Sequence, residues 1–310
     1  MNDKIIFMGT PQIAADVLQA LLDAGANVVL AVTQPDRKSG RKSQLHSCEV
    51  KQLALEHDIP VFQPQKIRTD YKPILDADAA LIVTCAYGQI VPQPVLDAPK
   101  KGCVNLHGSI LPEYRGAAPI QRAVWDGKNR SGMSLMQMEA GMDTGPVAAI
   151  EPVEIRMEDT SSSVFEKMGQ AAGKLIADHL DALLAGSLEF KKQDETKATY
   201  AAKISPEEEK IDLSRPDEQI LNQIRALAKD PGGYVLAGGK KLKLLAVRYM
   251  PGQTPGIGVF CLPAKKQFAM GGHEGLFLID ELQPEGKPVM KAADFANGKG
   301  RSLNGKKAEG

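Results

Sequence analysis

Cysteine is scarce in these 310 residues, and the four present, Cys48, Cys85, Cys103 and Cys261, stand far apart with no CxxC pair and no cysteine–histidine cluster. That spacing points away from a disulfide framework and from a structural zinc; buried, reduced thiols are the expectation, and no metal is called for. Long apolar runs are missing too. None approaches the roughly 18 residues of a membrane span, and Met1 to Lys4 is no cationic lead into a signal-like stretch, so a soluble protein with a cytoplasmic address is expected. Net charge is absent as well, with 38 basic residues against 38 acidic. Any affinity for a polyanion must therefore come from local clusters such as Arg37, Lys38, Arg41 and Lys42. No internal repeat is visible. What is there is an apolar fraction of 43% over a length above one average domain, which suits two domains of unequal size.

The apolar pattern alternates between two periods. Lys4-Ile-Ile-Phe-Met8 reads as a short buried strand; Gly9-Thr10-Pro11 turns the chain into an amphipathic segment from Ile13 to Leu22. Val28 to Thr33, Ala79 to Thr84, Cys103 to Leu106, Met133 to Met138 and Val147 to Val153 supply further strands. Helices fall at Val50 to His57, at Pro119 to Trp125 and from near Ser163 to Leu184, the last opened by a Ser163/Glu166 capping pair. Strand and helix in alternation imply a parallel sheet. After Gly186 the composition turns polar, and Ser205-Pro-Glu-Glu208 carries the signature of a new element. We therefore expect an α/β, Rossmann-like domain at 1–187, a linker at 188–205 and a smaller OB-like β-barrel at 206–310. In this second part Gly238-Gly239 signals a hairpin, and Leu242 to Tyr249, Gly258 to Cys261 and Leu276 to Leu282 read as strands. The Gly/Lys-rich stretch 298–310 is expected to be a mobile tail.

Asn105 and His107 sit at the C-terminal end of a predicted parallel strand, where α/β sheets bind ligands. Two residues apart on a strand, they face the same side. An amide donor beside an imidazole is a minimal set for acyl transfer to an amine: the ring accepts the proton that the amine loses, and the amide holds the developing oxyanion. Asp143, in the turn Gly141-Met-Asp-Thr-Gly145, could fix the ring's tautomer. By spacing alone each of the three reads as an ordinary strand-end or turn residue.

The run Gly102-Cys-Val-Asn-Leu-His-Gly-Ser-Ile-Leu-Pro-Glu-Tyr-Arg-Gly-Ala-Ala-Pro-Ile-Gln-Arg122, with Gly141 to Gly145, Ile5 to Pro11 and Thr33 to Arg37, resembles the methionyl-tRNA formyltransferase family. The resemblance implies that Asn105, His107 and Asp143 are catalytic. It implies that Ser109, Ile110, Leu111 and Pro112 bind tetrahydrofolate, and that Cys85, Ala86, Tyr87 and Gly88 line the pterin pocket. The donor would be 10-formyltetrahydrofolate, consumed as a co-substrate with no metal. The acceptor would be initiator methionyl-tRNA, met by the loop Arg37, Lys38, Arg41 and Lys42 and by the second domain, on a monomeric enzyme with no membrane partner. Lys240, Lys241, Lys243 and Arg248 could track phosphates or form a solvated edge. Two positions depart from the family pattern: Asp230 to Tyr234 lacks a Pro-Trp pair, and Glu113 stands where a basic residue is common.

Other readings have their own features. Folate-dependent sugar-nucleotide amine formyltransferases share the Asn, His, Asp set and a similar second domain; Arg115 to Pro119 and the basic loop point to tRNA instead. A Rossmann-type dehydrogenase would want GxGxxG, which Gly9-Thr-Pro11 does not provide. A non-catalytic RNA-binding protein leaves the polar groups after the Cys103 strand without a purpose.

Overall fold

A computed structural model of the chain describes residues 3–39 and 44–310. Two compact units emerge, one comprising Met1–Pro119, Arg130–Glu154 and Phe165–Ala201, the other Ile120–Asn129, Ile155–Val164 and Ala202–Gly310.

The first unit begins β1 (Lys4–Gly9), α1 (Gln12–Asp23), β2 (Asn27–Val32), then the hairpin β3 (Arg37–Ser39) and β4 (Gln44–His46), α2 (Glu49–Glu56), β5 (Val61–Phe62), α3 (Lys72–Asp76), β6 (Leu81–Cys85), α4 (Gln93–Leu96) and β7 (Cys103–His107). It continues with β8 (Arg115–Gly116), α5 (Pro119–Trp125), β9 (Arg130–Gln137), β10 (Val147–Glu154), α6 (Ser161–Ala185) and β11 (Tyr200–Ala201), with α5 and α6 running across the division between units. Seven strands make one sheet in the order β10-β9-β7-β6-β1-β2-β5. The five from β7 to β5 are parallel, while β9 and β10 join antiparallel. The apolar run Ile5 to Met8 is fully buried, as strands covered on both faces must be. Strand order reverses at β1: the chain adds β2 and β5 on one side, then returns to place β6 and β7 on the other. Ligand crevices form at such switch points, outside the carboxyl ends of the strands.

Two local readings change, and a third segment takes a definite place. The helix expected near Ser163 opens at Ser161, because Thr160 and Ser163 exchange reciprocal hydrogen bonds (3.1 and 3.4 Å), so Thr160 caps it in place of the Ser163/Glu166 pair. Ser205-Pro-Glu-Glu208 opens only a 3₁₀ turn at Glu207–Glu209; the helix of this region, α7 (Asp217–Leu227), starts after Pro216. Residues 191–201 are bound into the first unit, where Lys191 bridges Val147 and β11 pairs in parallel with β8.

The second unit adds β12 (Tyr234–Ala237), β13 (Lys240–Pro251), β14 (Phe260–Cys261), β15 (Phe268–Gly271), β16 (Gly275–Pro284), β17 (Met290–Lys291) and α8 (Ala292–Asn297) to α7. Gly238 and Gly239, both at positive φ (60° and 76°), make the two-residue hairpin between β12 and β13. The sheet runs β12-β13-β16-β15-β14, bent by irregularities in β13, around a core of Phe260, Phe268, Phe277 and Phe295. The stretch 298–310 is an integral part of it. Lys299–Leu303 is a 3₁₀ turn, Glu309 pairs with Leu236 of β12, Lys307 pairs with Val259 beside β14, and Ala308 is buried. The expected mobile tail instead links the two ends of the sheet and completes the barrel-like wrap.

Candidate active site

β7 lies between β6 and β9, and its register sets Asn105 beside Thr84 and Met136, and His107 beside Ser134. Thr84 closes an otherwise apolar strand, and its hydroxyl makes its shortest contact to Asn105 Oδ1, 2.8 Å. With its oxygen thus engaged, the Asn105 amide keeps Nδ2–H as the donor it can offer.

His107 is buried. Its Nε2 lies 3.0 Å from the Tyr114 carbonyl, which can only accept, so that contact calls for a proton on Nε2. Nδ1 faces Asp143 Oδ2 at 3.6 Å, beyond hydrogen-bond reach but close enough for a carboxylate to stabilise an imidazolium. The ring is thus flanked on both nitrogens, by the Tyr114 carbonyl and by the Asp143 carboxylate. Asp143 Oδ2 in turn accepts from the Gly116 amide at 2.8 Å. Gly116 adopts φ 120°, and a Cβ there would meet the Ala201 carbonyl oxygen at 2.8 Å, so only glycine brings this amide so close.

The loop after His107 is locked by its own polar groups. Ser134 Oγ donates to Ser109 O (2.7 Å) and accepts from Leu111 N (3.1 Å), Ser109 Oγ donates to Glu113 O (2.6 Å), and Ile110 O accepts from Glu113 N (3.1 Å). Ser109 and Leu111 are buried, Ile110 is half-buried, and the Leu111–Pro112 peptide is cis. Across the sheet, Cys85 and Tyr87 are buried, and the burial pushes both acids up to about 12. The Tyr87 ring turns into the aliphatic cluster of Ile6, Met8 and Val95, while its carbonyl accepts from Thr10 Oγ1 and Gln34 Nε2, each at 3.1 Å. The segment thus offers the crevice exposed Ala86 and Gly88 backbone and no ring. Ala86, Tyr114 and Asp143 all hold positive φ (45°, 57° and 52°) without being glycine. Such strain costs about 1–3 kcal/mol per residue and collects where surroundings over-determine a functional backbone.

Several residues that hold this geometry escaped the sequence reading. Thr84 could have been noticed as the one polar residue in Leu81 to Cys85. Tyr114, Gln193, Glu195 and Thr199 left no local signal. Thr199 Oγ1 accepts from Tyr114 N at 2.8 Å, fixing the residue whose carbonyl orients His107. Arg115, whose side chain is 1% exposed, forms a bidentate pair with Glu195 (2.8 and 2.7 Å), which raises the guanidinium and lowers the carboxyl from their ordinary values. Arg115 is thus an internal tie.

Of the basic loop, Arg37 and Lys38 lie in β3, while Arg41 and Lys42 fall outside the described residues. The root of the loop is anchored by Asp36, which accepts from Lys51 (2.6 Å) and Gln63 (3.0 Å) and is thereby held below the usual carboxylate range. Among the described residues no group of His, Cys, Asp and Glu could hold a metal ion, and no helix is long and apolar enough to cross a membrane.

Residues 3–180 match the family described as formyl transferase, and residues 203–300 match the formyl transferase C-terminal domain. Methionyl-tRNA formyltransferase of Bacillus subtilis (strain 168) is 41% identical over 300 residues, 95% of this chain and 94% of that protein. The Stutzerimonas stutzeri (strain A1501) protein of the same name is 43% identical, covering 92% of each. Among solved structures, an N-formyltransferase from Helicobacter canadensis complexed with folinic acid and dTDP-3-aminofucose has the same fold (TM-score 0.66, 20% identity, 90% of this chain and 98% of that one). A methionyl-tRNA formyltransferase from Clostridium thermocellum shares it too (TM-score 0.58, 18% identity, 79% and 93%). Two family matches in order along the chain, and relatives above 40% identity over nearly its whole length, establish that it belongs to the methionyl-tRNA formyltransferase family.

Proposed function

We propose that this chain transfers the formyl group of 10-formyltetrahydrofolate to the α-amino group of initiator methionyl-tRNA. The observation that carries the proposal is the 41% identity to the Bacillus subtilis methionyl-tRNA formyltransferase over 95% of the chain. Asn105, His107 and Asp143 are the reacting set, Ser109 to Pro112 and Cys85 to Gly88 receive the folate, and Arg37, Lys38, Arg41 and Lys42 meet the tRNA. Residues 1–187 form the catalytic part, 188–205 a linker that packs back on it through residues 191–201, and 206–310 the RNA-binding part of a cytoplasmic monomer.

The folate supplies a formyl carbon already activated by its attachment to N10. Asn105 Nδ2–H donates to the formyl oxygen as attack by the amine turns it into an oxyanion. His107 Nδ1, the unprotonated nitrogen, takes the proton lost by the amine and returns it to the departing nitrogen of the folate. Asp143, 3.6 Å away, offsets the positive charge on the ring between the two transfers. The rigid loop Ser109 to Pro112 and the exposed backbone at Ala86 and Gly88 suit a flat heterocycle bearing donors and acceptors.

The test is a mass-spectrometric assay with 10-formyltetrahydrofolate as donor and two classes of acceptor, methionyl-tRNA and a panel of amino-sugar nucleotides. Formyl-methionyl-tRNA as the dominant product is expected. Transfer to an amino sugar with none to tRNA would move the chain to the sugar-modifying reading.

A further inference from the structure

We propose that Gln193 is a positioning residue for Asp143, acting from the polar segment that follows α6. The inference rests on the reading of Asn105, His107 and Asp143 as the reacting set. The Gln193 amide lies between two fixed objects. Its Nε2 donates to the carbonyls of Asp143 (2.8 Å) and Gly145 (2.7 Å), both in the turn that carries the carboxylate. Its Oε1 accepts from Arg115 Nε (3.2 Å) and Nη2 (2.9 Å). Arg115 is immobilised in turn by Glu195 and by burial.

This arrangement grips Asp143 twice from the same short strand. Arg115 holds its backbone through Gln193, and the next residue, Gly116, holds its carboxylate through the amide at 2.8 Å. The grip matters because Asp143 sits at φ 52°, a conformation that a non-glycine residue keeps only where its surroundings impose it. Gly145 supports the same turn: a Cβ there would fall 1.9 Å from the Gln137 carbonyl oxygen. Without Gln193 the turn is free to relax, and the 3.6 Å approach of Asp143 to His107 is lost. Glutamine suits the position because one neutral side chain presents an acceptor to the guanidinium and a donor to two carbonyls. Glutamate would keep the first contact and set an oxygen against both carbonyls.

The experiment compares the full-length protein with its Gln193→Glu and Gln193→Met variants in steady-state formylation of methionyl-tRNA, normalised to the folded fraction from circular dichroism. We expect kcat to fall about 10- to 100-fold, the range for a reacting group displaced by an ångström or less. KM for both substrates should stay within about twofold, because the Gln193 amide is committed to Arg115, Asp143 and Gly145. The Asp143→Asn/Gln193→Glu double variant should be no slower than Asp143→Asn alone, since both changes remove one function. A normalised kcat equal to wild type in Gln193→Met, or effects that multiply in the double variant, would overturn the inference. A wild-type protein that makes no formyl-methionyl-tRNA, or an Asp143→Asn variant with full activity, would instead overturn the reading on which it rests.

Discussion

At the scale of single residues, Asn105 and His107 of the candidate site each have one polar end tied and the other presented. Asn105 shows this most simply: Thr84 engages its oxygen and leaves its N–H to the crevice. In Thr84→Val the shape of the strand is kept and the tie is lost, so the amide is free to turn its oxygen toward the developing oxyanion. A hydrogen bond of this kind is worth about 0.5–1.5 kcal/mol, or roughly a two- to tenfold fall in kcat with KM unchanged. Steady-state kinetics on the purified variant measure it directly. A change confined to KM would show that Thr84 serves substrate binding instead. The thiols lie at the other extreme. Cys85 and Cys103 are buried, and burial pushes both up to about 12, in keeping with inert packing residues.

At the scale of elements, the residues after Gly298 show why some parts of the fold were legible and others not. A stretch rich in Gly and Lys has no apolar period and reads as solvent-exposed, but its pairing uses the backbone. Glu309 and Leu236 exchange hydrogen bonds (3.0 and 2.8 Å), Phe260 N donates to Lys306 O (2.9 Å), and Ala308 N donates to Gly258 O (2.8 Å). Deleting residues 304–310 therefore leaves the edges at β12 and β14 without partners. Four such bonds are worth about 2–6 kcal/mol together, and bare edges invite pairing between chains. Urea unfolding should show the loss, and light scattering the association; an unchanged unfolding midpoint would mean that the tail merely rests on the sheet. The same contrast explains the rest. The strands Ile5 to Met8 and Leu81 to Cys85 were legible because burial on both faces writes a continuous apolar run, and Gly238-Gly239 because its turn demands positive φ. β8 and β11 are two residues each, too short for any period, and the Arg115–Glu195 contact spans 80 positions. Alternation alone puts Asn105 and His107 on the same side of β7. The link from Asp143 through Gln193 to Arg115 could not be read in this way, because nothing local marks a glutamine in a polar segment.

At the scale of the whole molecule, a net charge of zero makes RNA recognition a matter of which cations are uncommitted. Much of the positive charge around the first hairpin of the second unit is already engaged. Arg248 forms a bidentate pair with Asp280 (2.7 and 2.8 Å), Lys243 Nζ donates to the Pro231 carbonyl, and Lys241 Nζ lies 4.0 Å over the Tyr234 ring. In the basic loop the sequence offers Arg37, Lys38, Arg41 and Lys42 with a single adjacent acid, Asp36, whose charge is matched by Lys51 at 2.6 Å. The proposal that the loop meets the phosphates therefore predicts one salt behaviour for Arg41 and another for the paired Arg248. Binding of methionyl-tRNA, followed by fluorescence anisotropy over a series of KCl concentrations, gives the slope of log affinity against log salt. That slope should become shallower by about 0.7 to 0.9 in Arg41→Ala for one lost phosphate contact, with weaker binding at every concentration. In Arg248→Ala the slope should match the wild type, because the guanidinium removed was neutralised by Asp280 before RNA arrived. An unaltered slope in Arg41→Ala would take that side chain off the phosphate backbone. A shallower one in Arg248→Ala would mean that the pair with Asp280 opens on the RNA and that the hairpin shares in recognition.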